Sequence, residues 1–431
     1  MEDKMNNGYQ LPSMDLLDDY TKYVLDSELE INPSTNKESV IQILDKYKIK
    51  YTQIEEFIGK TMSVYEVTLE EGYRISTIRL IIDDIFLSLG ILGLRLVFPP
   101  NSSNMFHIEI PHVSVLPLSF KEAVEIINFQ DSDMTLPFVV GRDVKDNIIV
   151  KDLVKLPHLL IAGRFGSGKG VAINDIITSL ILKKTPEELK FVLIDIDEET
   201  FSEYNHLNKA FFAVLPEDKD KNEHLVISDT VKAVQTLHAL CEEMNKRYDK
   251  LKNSKCRCIS EYNEKHERMP YIIVAIYEYA ELMLSAGKEF ELPLCRLAQF
   301  ARAVGIHVII STEMFRYNVI TGSIKANFPT KWCFRSSASM DSRLILDRAD
   351  AVTLNKAGDS IFAKGSSMLR VQSPHIMENE IEKVIDYINN NTEGVEPYVL
   401  PKFKIDKSEN VVKDDESLLI RKFWEGYLGK K

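Results

Sequence analysis

A glycine-rich loop between an apolar strand and an amphipathic helix constrains the fold of this sequence more than any other feature. The loop is GRFGSGKG, residues 163–170, and the short apolar run HLLIAG leads directly into it. The segment VAINDIITSLILKK follows, with apolar residues at helical spacing, and the apolar run KFVLIDID comes next. Strand, loop, helix and strand in this order predict a βαβ unit of a parallel sheet.

The loop follows the phosphate-binding pattern GxxxxGK[ST] except at its last residue, which is Gly170. Its glycines allow backbone N–H groups to turn around phosphate oxygens, and Lys169 supplies a positive charge. A hydroxyl after the lysine would hold Mg²⁺, and glycine has none. A glycine-rich turn that only joins strand to helix is the alternative interpretation. The candidate nucleotide-binding residues are Gly163, Arg164, Phe165, Gly166, Ser167, Gly168, Lys169 and Gly170.

A second apolar run, YIIVAIYE, ends in Tyr277-Glu278 where a nucleotide-hydrolysing site would end in Asp-Glu. The aspartate would be the second protein support of the metal, whereas tyrosine is neutral near pH 7 and is no ligand for a hard cation. Glu278 remains as the candidate catalytic base that orients water. Without these ligands we expect no metal site of this type. Because a bound metal stabilises the transition state by several kcal/mol, we also expect little or no turnover.

The rest of the chain predicts a small α+β unit before the sheet and further strands after the loop. ESVIQILDKYKI and ISTIRLIIDDIFLSLG each have helical periodicity, MSVYEVTLEE alternates like a strand, and the unit ends near residue 115. LPFVVGRDVKDNIIV predicts a hairpin, and IHVIIST and TKWCFRSS continue the sheet. The predicted fold class is α/β, with a parallel-rich central sheet after the small α+β domain. ESLLIRKFWEGYLGKK predicts a short helix in the tail.

Composition argues against several classes of protein. The 431 residues are 45% hydrophobic and carry a net charge of −12, which argues against a generally basic nucleic-acid coat. Five cysteines without CxxC spacing predict a reduced, cytoplasmic chain without structural zinc. We expect neither a signal peptide nor a membrane span in this chain. Lysines and arginines concentrated over residues 246–257 predict either a DNA-facing or partner-facing patch, or a solvated helix face.

Long phrases around the loop resemble the motor part of the FtsK/SpoIIIE family of double-stranded DNA translocases. The similar phrases include LPHLLIAGRFGSGKGVAIN, YIIVAIYEYAELMLSAGKEFELPLCRLAQFARAVGIHVIIST and NVITGSIKANFPTKWCFRSSASMDSRLILDRADAVTLNKAGDSIF. The resemblance implies an FtsK-like alpha domain over residues 21–115 and a RecA-like P-loop NTPase motor domain over 116–390. A disordered N-terminus over 1–20 and a tail over 391–431 would flank them. It also implies a hexameric ring around duplex DNA, with nucleotide between subunits. The family's membrane helices and winged-helix domain are expected to be missing.

The resemblance also implies roles for single residues. Arg302 corresponds to the arginine that reaches into the neighbouring subunit's nucleotide site, and Lys325 and Arg343 correspond to DNA-binding positions. Two departures accompany those at 170 and 277. The family's Gln-Arg-Pro is Glu313-Met314-Phe315 here, and a DNA-facing lysine is Ser339. Since DNA is held mainly by Lys and Arg at its phosphates, both departures weaken the expected DNA contact.

Three hypotheses for the function follow. The favoured one is a catalytically impaired pseudo-ATPase subunit that keeps the loop and the ring-forming fold, takes ATP with or without Mg²⁺, and associates with DNA or an active homologue. Its partners would be FtsK-like subunits in a homo- or hetero-oligomeric ring. The second is an active ATP-dependent translocase in which Asp195, Asp197 or Glu198 holds Mg²⁺ through water. The third is a nucleotide-gated scaffold that does not touch DNA.

Overall fold

A computed structural model describes residues 9–19, 37–91, 93–98, 104–112, 117–126, 129–156, 158–222, 224–392 and 394–403. The first part of the chain forms a small α+β unit with its own apolar core. Its elements are α1 (Lys37–Lys46), β1 (Tyr51–Ile58), β2 (Met62–Leu69), α2 (Ile75–Leu80), α3 (Ile82–Leu89), β3 (Arg95–Val97) and β4 (Met105–Pro111). The four strands pair antiparallel in the order β1-β2-β4-β3. The predicted tail helix over 416–431 lies outside the described residues.

The single helix predicted over ISTIRLIIDDIFLSLG is wrong, because the structure divides it into α2 and α3. Ile81 separates the two helices, with φ −111° and ψ 12°, and its N–H donates to the Ile78 carbonyl. That bond closes a tighter turn than an α-helix, so the α-helical hydrogen-bond pattern is interrupted there. Apolar periodicity alone does not show such a break.

The second part of the chain forms the larger unit. Its elements up to residue 265 are β5 (Leu118–Ser119), α4 (Phe120–Ile126), β6 (Pro137–Asp143), β7 (Ile148–Asp152), β8 (Leu159–Ala162), α5 (Lys169–Lys183), β9 (Leu189–Asp195), β10 (Ala213–Val214), α6 (Thr230–Ser254) and α7 (Ile259–Lys265). The later ones are β11 (Tyr271–Tyr277), α8 (Tyr279–Ala286), α9 (Lys288–Phe300), β12 (Ile306–Thr312), α10 (Gly322–Asn327), β13 (Thr330–Phe334), α11 (Ser339–Leu346), β14 (Asp359–Lys364), β15 (Ser367–Gln372), β16 (Pro374–His375), α12 (Glu378–Asn391) and β17 (Tyr398–Val399).

A nine-stranded mixed sheet organises the larger unit, in the order β7-β6-β15-β14-β13-β8-β12-β11-β9. The five strands from β13 to β9 run parallel, as predicted. The other four form an antiparallel wing that includes the predicted hairpin of β6 and β7. The α/β class and the βαβ unit around the loop are therefore confirmed.

A buried ionic network connects the small unit to the larger one. Arg370 on β15 binds Asp359 through two nitrogens, at 2.9 Å and 2.7 Å, and its Nη1 lies 3.5 Å from Glu109 of the small unit. Arg95 of the small unit in turn lies 3.3 Å from Asp350. The Arg370 side chain is fully buried, so its charge depends on these carboxylates rather than on water.

The prediction of a disordered N-terminus over residues 1–20 is wrong for residues 9–19. A 3₁₀ turn over Met14–Leu16 is capped by Ser13, and the Leu17 side chain, 1% exposed, belongs to the large core. The Asp18 backbone N–H donates to Glu380 at 2.8 Å, and Lys383 binds the Asp18 carboxylate at 2.6 Å. The acidic residues that made this segment look unstructured are partly used in bonds to α12.

One carboxyl group inside the core is expected to make the free energy of unfolding depend on pH. Asp175 on α5 is fully buried, and neither of its oxygens has a hydrogen-bond partner among the described residues. Burial raises the pKa of Asp175 well above its usual value of 3.8. The folded state therefore holds this proton more tightly than the unfolded chain does, and the stability that the group contributes is lost as the pH rises above about 4.

We expect Asp175→Asn to leave the free energy of unfolding nearly unchanged near pH 4 and to raise it by at least about 1 kcal/mol at pH 8. Urea titrations of both proteins at the two pH values measure this difference. An equal effect at both pH values would contradict the assignment.

Candidate functional site

Four strand ends meet at one edge of the sheet and bring the predicted residues together. In the parallel register, Thr312 of β12 lies opposite Ala162 of β8, and Tyr277 of β11 lies opposite Asp195 of β9. Strand order β8-β12-β11-β9 therefore places the segments that follow these residues side by side. The carboxyl edge of parallel strands is where α/β folds bind ligands.

The glycine-rich loop turns sharply between β8 and α5. Gly166 and Gly168 have φ values of +69° and +106°, which glycine adopts without strain. The Ser167 hydroxyl donates to the Arg164 carbonyl at 2.6 Å, and the Ser167 carbonyl accepts from Gly358 N–H at 2.9 Å. A Cβ at Gly163 would lie 2.6 Å from the Phe334 Cβ, so the loop is also packed closely. The N-terminus of α5 then points its free N–H groups at this turn.

Lys169, the first residue of α5, is nearly buried, with 2% of its side chain exposed. Its Nζ donates to the Arg164 carbonyl at 3.3 Å and lies 3.6 Å from Oε2 of Glu313. Burial lowers the pKa of Lys169, while the carboxylates of Glu313 and Glu278 oppose that change. The loop therefore holds its cation next to two acidic side chains.

Glu278, the candidate base, is held rigidly at the start of α8. Its backbone is left-handed, with φ 44° and ψ 58°, which costs a non-glycine residue energy and is typical of functional sites. Its Oε1 accepts from the Thr312 hydroxyl at 2.8 Å, and its Oε2 accepts from Glu313 N–H at 2.7 Å. Burial raises the pKa of Glu278, against these hydrogen bonds and Lys169.

Two hydroxyl-bearing side chains lie beside Gly170, the position where the phosphate-loop pattern has a metal-binding hydroxyl. A Cβ added at Gly170 would lie 3.2 Å from Oγ1 of Thr200 and 3.8 Å from Oη of Tyr277. Burial raises the pKa of Tyr277, and the hydrogen-bonding Thr200 side chain only opposes this rise. Tyr277 therefore stays a neutral phenol near pH 7, and this donor set does not fit Mg²⁺.

The alternative metal ligands also differ in their placement. Oδ2 of Asp195 accepts from the N–H groups of Thr200 and Phe201, at 2.8 Å and 3.0 Å, so it orders the turn that carries Thr200. Burial raises the pKa of Asp195. Asp197 and Glu198 are exposed. Within the described part of the chain, no group of three or more His, Cys, Asp or Glu side chains is arranged to hold a metal ion.

A cavity of about 510 Å³ opens over the loop and is within the size range of small-ligand sites. The turn, Lys169 and Gly170 form its floor, with Thr200 and Tyr277 beside them. The segment around β16 also lines the cavity, through residues that include Gln372 and His375. Glycine-rich backbone, a cation and the N-terminus of α5 fit the phosphates of a nucleotide.

Arg302 lies at the opposite edge of the sheet from the loop. It precedes β12, whereas the loop follows β8, and its Nε donates to the Val154 carbonyl at 3.2 Å. The side chain is exposed. The structure therefore does not bring Arg302 to this chain's own candidate site.

Comparison with known proteins decides the family. A model of the FtsK alpha domain matches residues 11–112, and a model of the FtsK/SpoIIIE family matches residues 120–317. The chain belongs to the FtsK/SpoIIIE family. The DNA translocase FtsK of Chlorobaculum tepidum is 37% identical over 386 residues, which are 88% of this chain and 48% of that protein. The DNA translocase SpoIIIE of Bacillus subtilis is 33% identical over 396 residues, 89% of this chain and 49% of that protein. This FtsK/SpoIIIE chain thus spans about half the length of these relatives.

Solved structures agree on the fold. The pCW3 conjugation coupling protein TcpA, solved as a monomer with ATPγS, has a TM-score of 0.55 at 23% identity, over 81% of this chain and 98% of that one. The cytoplasmic domain of the type VII secretion ATPase EccC of Thermomonospora curvata also has a TM-score of 0.55, at 18% identity, over 68% of this chain and 36% of that one. The large unit of this FtsK/SpoIIIE member is a RecA-like P-loop fold.

The positions that the sequence predicts to bind DNA lie on two short helices of this FtsK/SpoIIIE member. Lys325 on α10 binds Asp347 at 2.8 Å, and this contact lowers the pKa of Asp347. Arg343 and Ser339 are exposed on α11. Met314 is half-buried and packs against the core. Arg343 is thus the freest cation of the set, since a carboxylate already neutralises Lys325.

The basic stretch over residues 246–257 is only partly a surface patch. Arg247 is fully buried in α6, where it binds Glu243 at 2.7 Å and donates to the Pro270 and Val304 carbonyls. The remaining cations of the stretch are exposed. They are Lys246, Lys250, Lys252, Lys255 and Arg257.

Sequence reasoning missed Thr200, which follows β9 in a segment without a recognised motif. Its position depends on the Asp195 carboxylate, which accepts a hydrogen bond from the Thr200 backbone N–H. The acidic run DIDEE was the only signal nearby, and it suggested metal ligands rather than a hydroxyl. Among the described residues, no helix is long and apolar enough to span a membrane.

Proposed function

We propose that this chain is a pseudo-ATPase subunit of the FtsK/SpoIIIE type, which keeps the nucleotide loop and hydrolyses ATP weakly or not at all. The position of Thr200 and Tyr277 carries the proposal. Their hydroxyls lie 3.2 Å and 3.8 Å from the point where a side chain at Gly170 would begin. Neutral hydroxyls replace the hydroxyl and carboxylate that would hold Mg²⁺, while the phosphate cradle and Glu278 are retained.

The proposed partners are duplex DNA and other FtsK-like subunits in a ring. The relatives named above are DNA translocases, and their similarity extends over most of this chain. Arg302 supports a ring, because an exposed arginine at the far edge of the sheet is free to complete an adjacent subunit's nucleotide site. Arg343 supports contact with DNA phosphates. In such a ring this subunit would contribute Arg302 to an active neighbour while its own site stays silent.

The direct test is hydrolysis of ATP by the full chain with duplex DNA over a range of Mg²⁺ concentrations. We expect a rate no higher than that of the Glu278→Gln variant, with an active FtsK/SpoIIIE protein assayed in parallel. The triple variant Gly170→Ser, Tyr277→Asp, Thr200→Ala restores both metal supports and removes the obstructing hydroxyl. Mg²⁺ should tighten its nucleotide binding at least about tenfold, and change that of the unmodified chain by less than about twofold.

An active translocase with an atypical metal site is the second candidate. One observation favours it, because Oδ1 of the buried Asp195 has no hydrogen-bond partner among the described residues. DNA-stimulated, Mg²⁺-dependent hydrolysis that Glu278→Gln abolishes would establish this candidate and end the first. A protein that binds nucleotide but shows no salt-dependent DNA binding would instead support a scaffold that acts without DNA.

A further inference from the structure

The carboxylate of Glu313 forms an ion pair with Lys169, the lysine of the glycine-rich loop. Glu313 follows β12, and its backbone N–H is fixed by Oε2 of Glu278 at 2.7 Å. Its own Oε2 lies 3.6 Å from Nζ of Lys169, a lysine with 2% side-chain exposure. In a phosphate loop the lysine at this position contacts the β- and γ-phosphates of the nucleotide. The carboxylate of Glu313 therefore already pairs with Lys169, the cation that a γ-phosphate would need.

We infer that this site binds a nucleoside diphosphate in preference to the triphosphate, because Glu313 competes with the γ-phosphate for Lys169. The inference rests on the proposed retention of nucleotide binding. The α- and β-phosphates need only the loop N–H groups, the N-terminus of α5 and Lys169, and these stay available with Glu313 in place. A γ-phosphate would add negative charge beside Glu313 and the neighbouring Glu278.

The missing metal supports make this repulsion more effective. Mg²⁺ normally bridges the β- and γ-phosphates and neutralises part of their charge. Here Gly170 has no hydroxyl and Tyr277 has no carboxylate, so the chain offers little to keep a cation at the γ-phosphate. Like charges separated by a few ångströms in a partly buried site repel strongly enough to change affinity by an order of magnitude.

The shape of the cavity agrees with this charge argument. The described residues that line it include Lys169, Gly170 and Tyr277, but neither Glu278 nor Glu313. Lys169 therefore borders the space of about 510 Å³, and its carboxylate partner Glu313 does not line that space. A γ-phosphate that contacts Lys169 would have to share the lysine with Glu313 or displace that carboxylate.

The experiment is a calorimetric titration of the full chain with ADP and with ATP, in EDTA and then in Mg²⁺. We expect ADP to bind at least about tenfold more tightly than ATP in EDTA. Glu313→Gln should tighten ATP binding about tenfold and leave ADP binding within about twofold, since it removes the charge and keeps the shape. Glu396→Gln is the matched control, because Glu396 is the exposed member of an ion pair of similar length, 3.4 Å, with Lys209. It should leave the ratio of the two affinities unchanged.

Each outcome separates this inference from the proposed function. Equal affinities for ADP and ATP, or a Glu313→Gln variant with the original ratio, would overturn the diphosphate preference while leaving the pseudo-ATPase proposal intact. Binding of neither nucleotide by a protein that still unfolds cooperatively would overturn the retained cradle itself, and the preference with it. A tenfold preference that the variant removes and the control keeps would support both.

Discussion

Replacing Arg370 with methionine should lower the free energy of unfolding by about 3–5 kcal/mol, because it leaves buried carboxylates without their cation. Arg370 is fully buried, binds Asp359 through two hydrogen bonds and donates to the Gly93 carbonyl at 3.2 Å. Glu109 of the small unit lies 3.5 Å away. Methionine keeps much of the volume but none of these bonds, so the loss is electrostatic more than steric.

Urea denaturation measures this effect as a shift of the midpoint at unchanged slope. Arg348→Met is the matched control, because Arg348 binds Asp350 at 2.7 Å with half of its side chain exposed. We expect it to cost no more than about 1 kcal/mol. Equal costs for the two variants would show that burial of the network contributes nothing to the join between the units.

Replacing Gly168 with alanine should disable the loop and destabilise the fold. Gly168 has φ +106°, a value that alanine does not adopt without strain, and a Cβ there would lie 2.9 Å from the backbone nitrogen of Gly358. Strain and overpacking each cost about 1–3 kcal/mol, so we expect the free energy of unfolding to fall by about 2–4 kcal/mol. Affinity for ADP should fall at least about tenfold, since the N-terminus of α5 shifts with the residue.

Gly166→Ala is the control for that variant within the same loop. Gly166 also has a positive φ, +69°, but a Cβ there would meet nothing within 4 Å. Only the left-handed backbone is then penalised, and we expect a cost of about 1–2 kcal/mol. Calorimetry and urea titration of both variants separate the two contributions. If Gly166→Ala is as damaging as Gly168→Ala, contact with Gly358 is not the reason for the glycine.

The elements that the sequence predicted best are those whose pattern is local. The βαβ unit was predictable because apolar runs mark buried parallel strands and the glycines mark the turn. The disordered N-terminus was wrong for residues 9–19, since the turn over Met14–Leu16 packs against α4 and α12, which lie far along the chain. The break at Ile81 was missed because both halves of that helix share one apolar periodicity.

Some residues of the candidate site were recognisable in the sequence, whereas others were found only in the structure. Gly170 and Tyr277 were recognisable as departures because each stands at a fixed place in a local motif. The residues that decide what those departures mean, Thr200 and Glu313, follow other strands. Only the strand order β8-β12-β11-β9 brings them to the loop.

The sequence by itself determined the α/β class, the glycine-rich loop and the departures from the family pattern at Gly170 and Tyr277, because these are properties of short segments. The tertiary structure decided what lies beside those positions. It placed a hydroxyl pair beside Gly170 and a carboxylate against Lys169. Contacts between residues far apart in the chain depend on sheet register, and a single strand's pattern does not specify its neighbours.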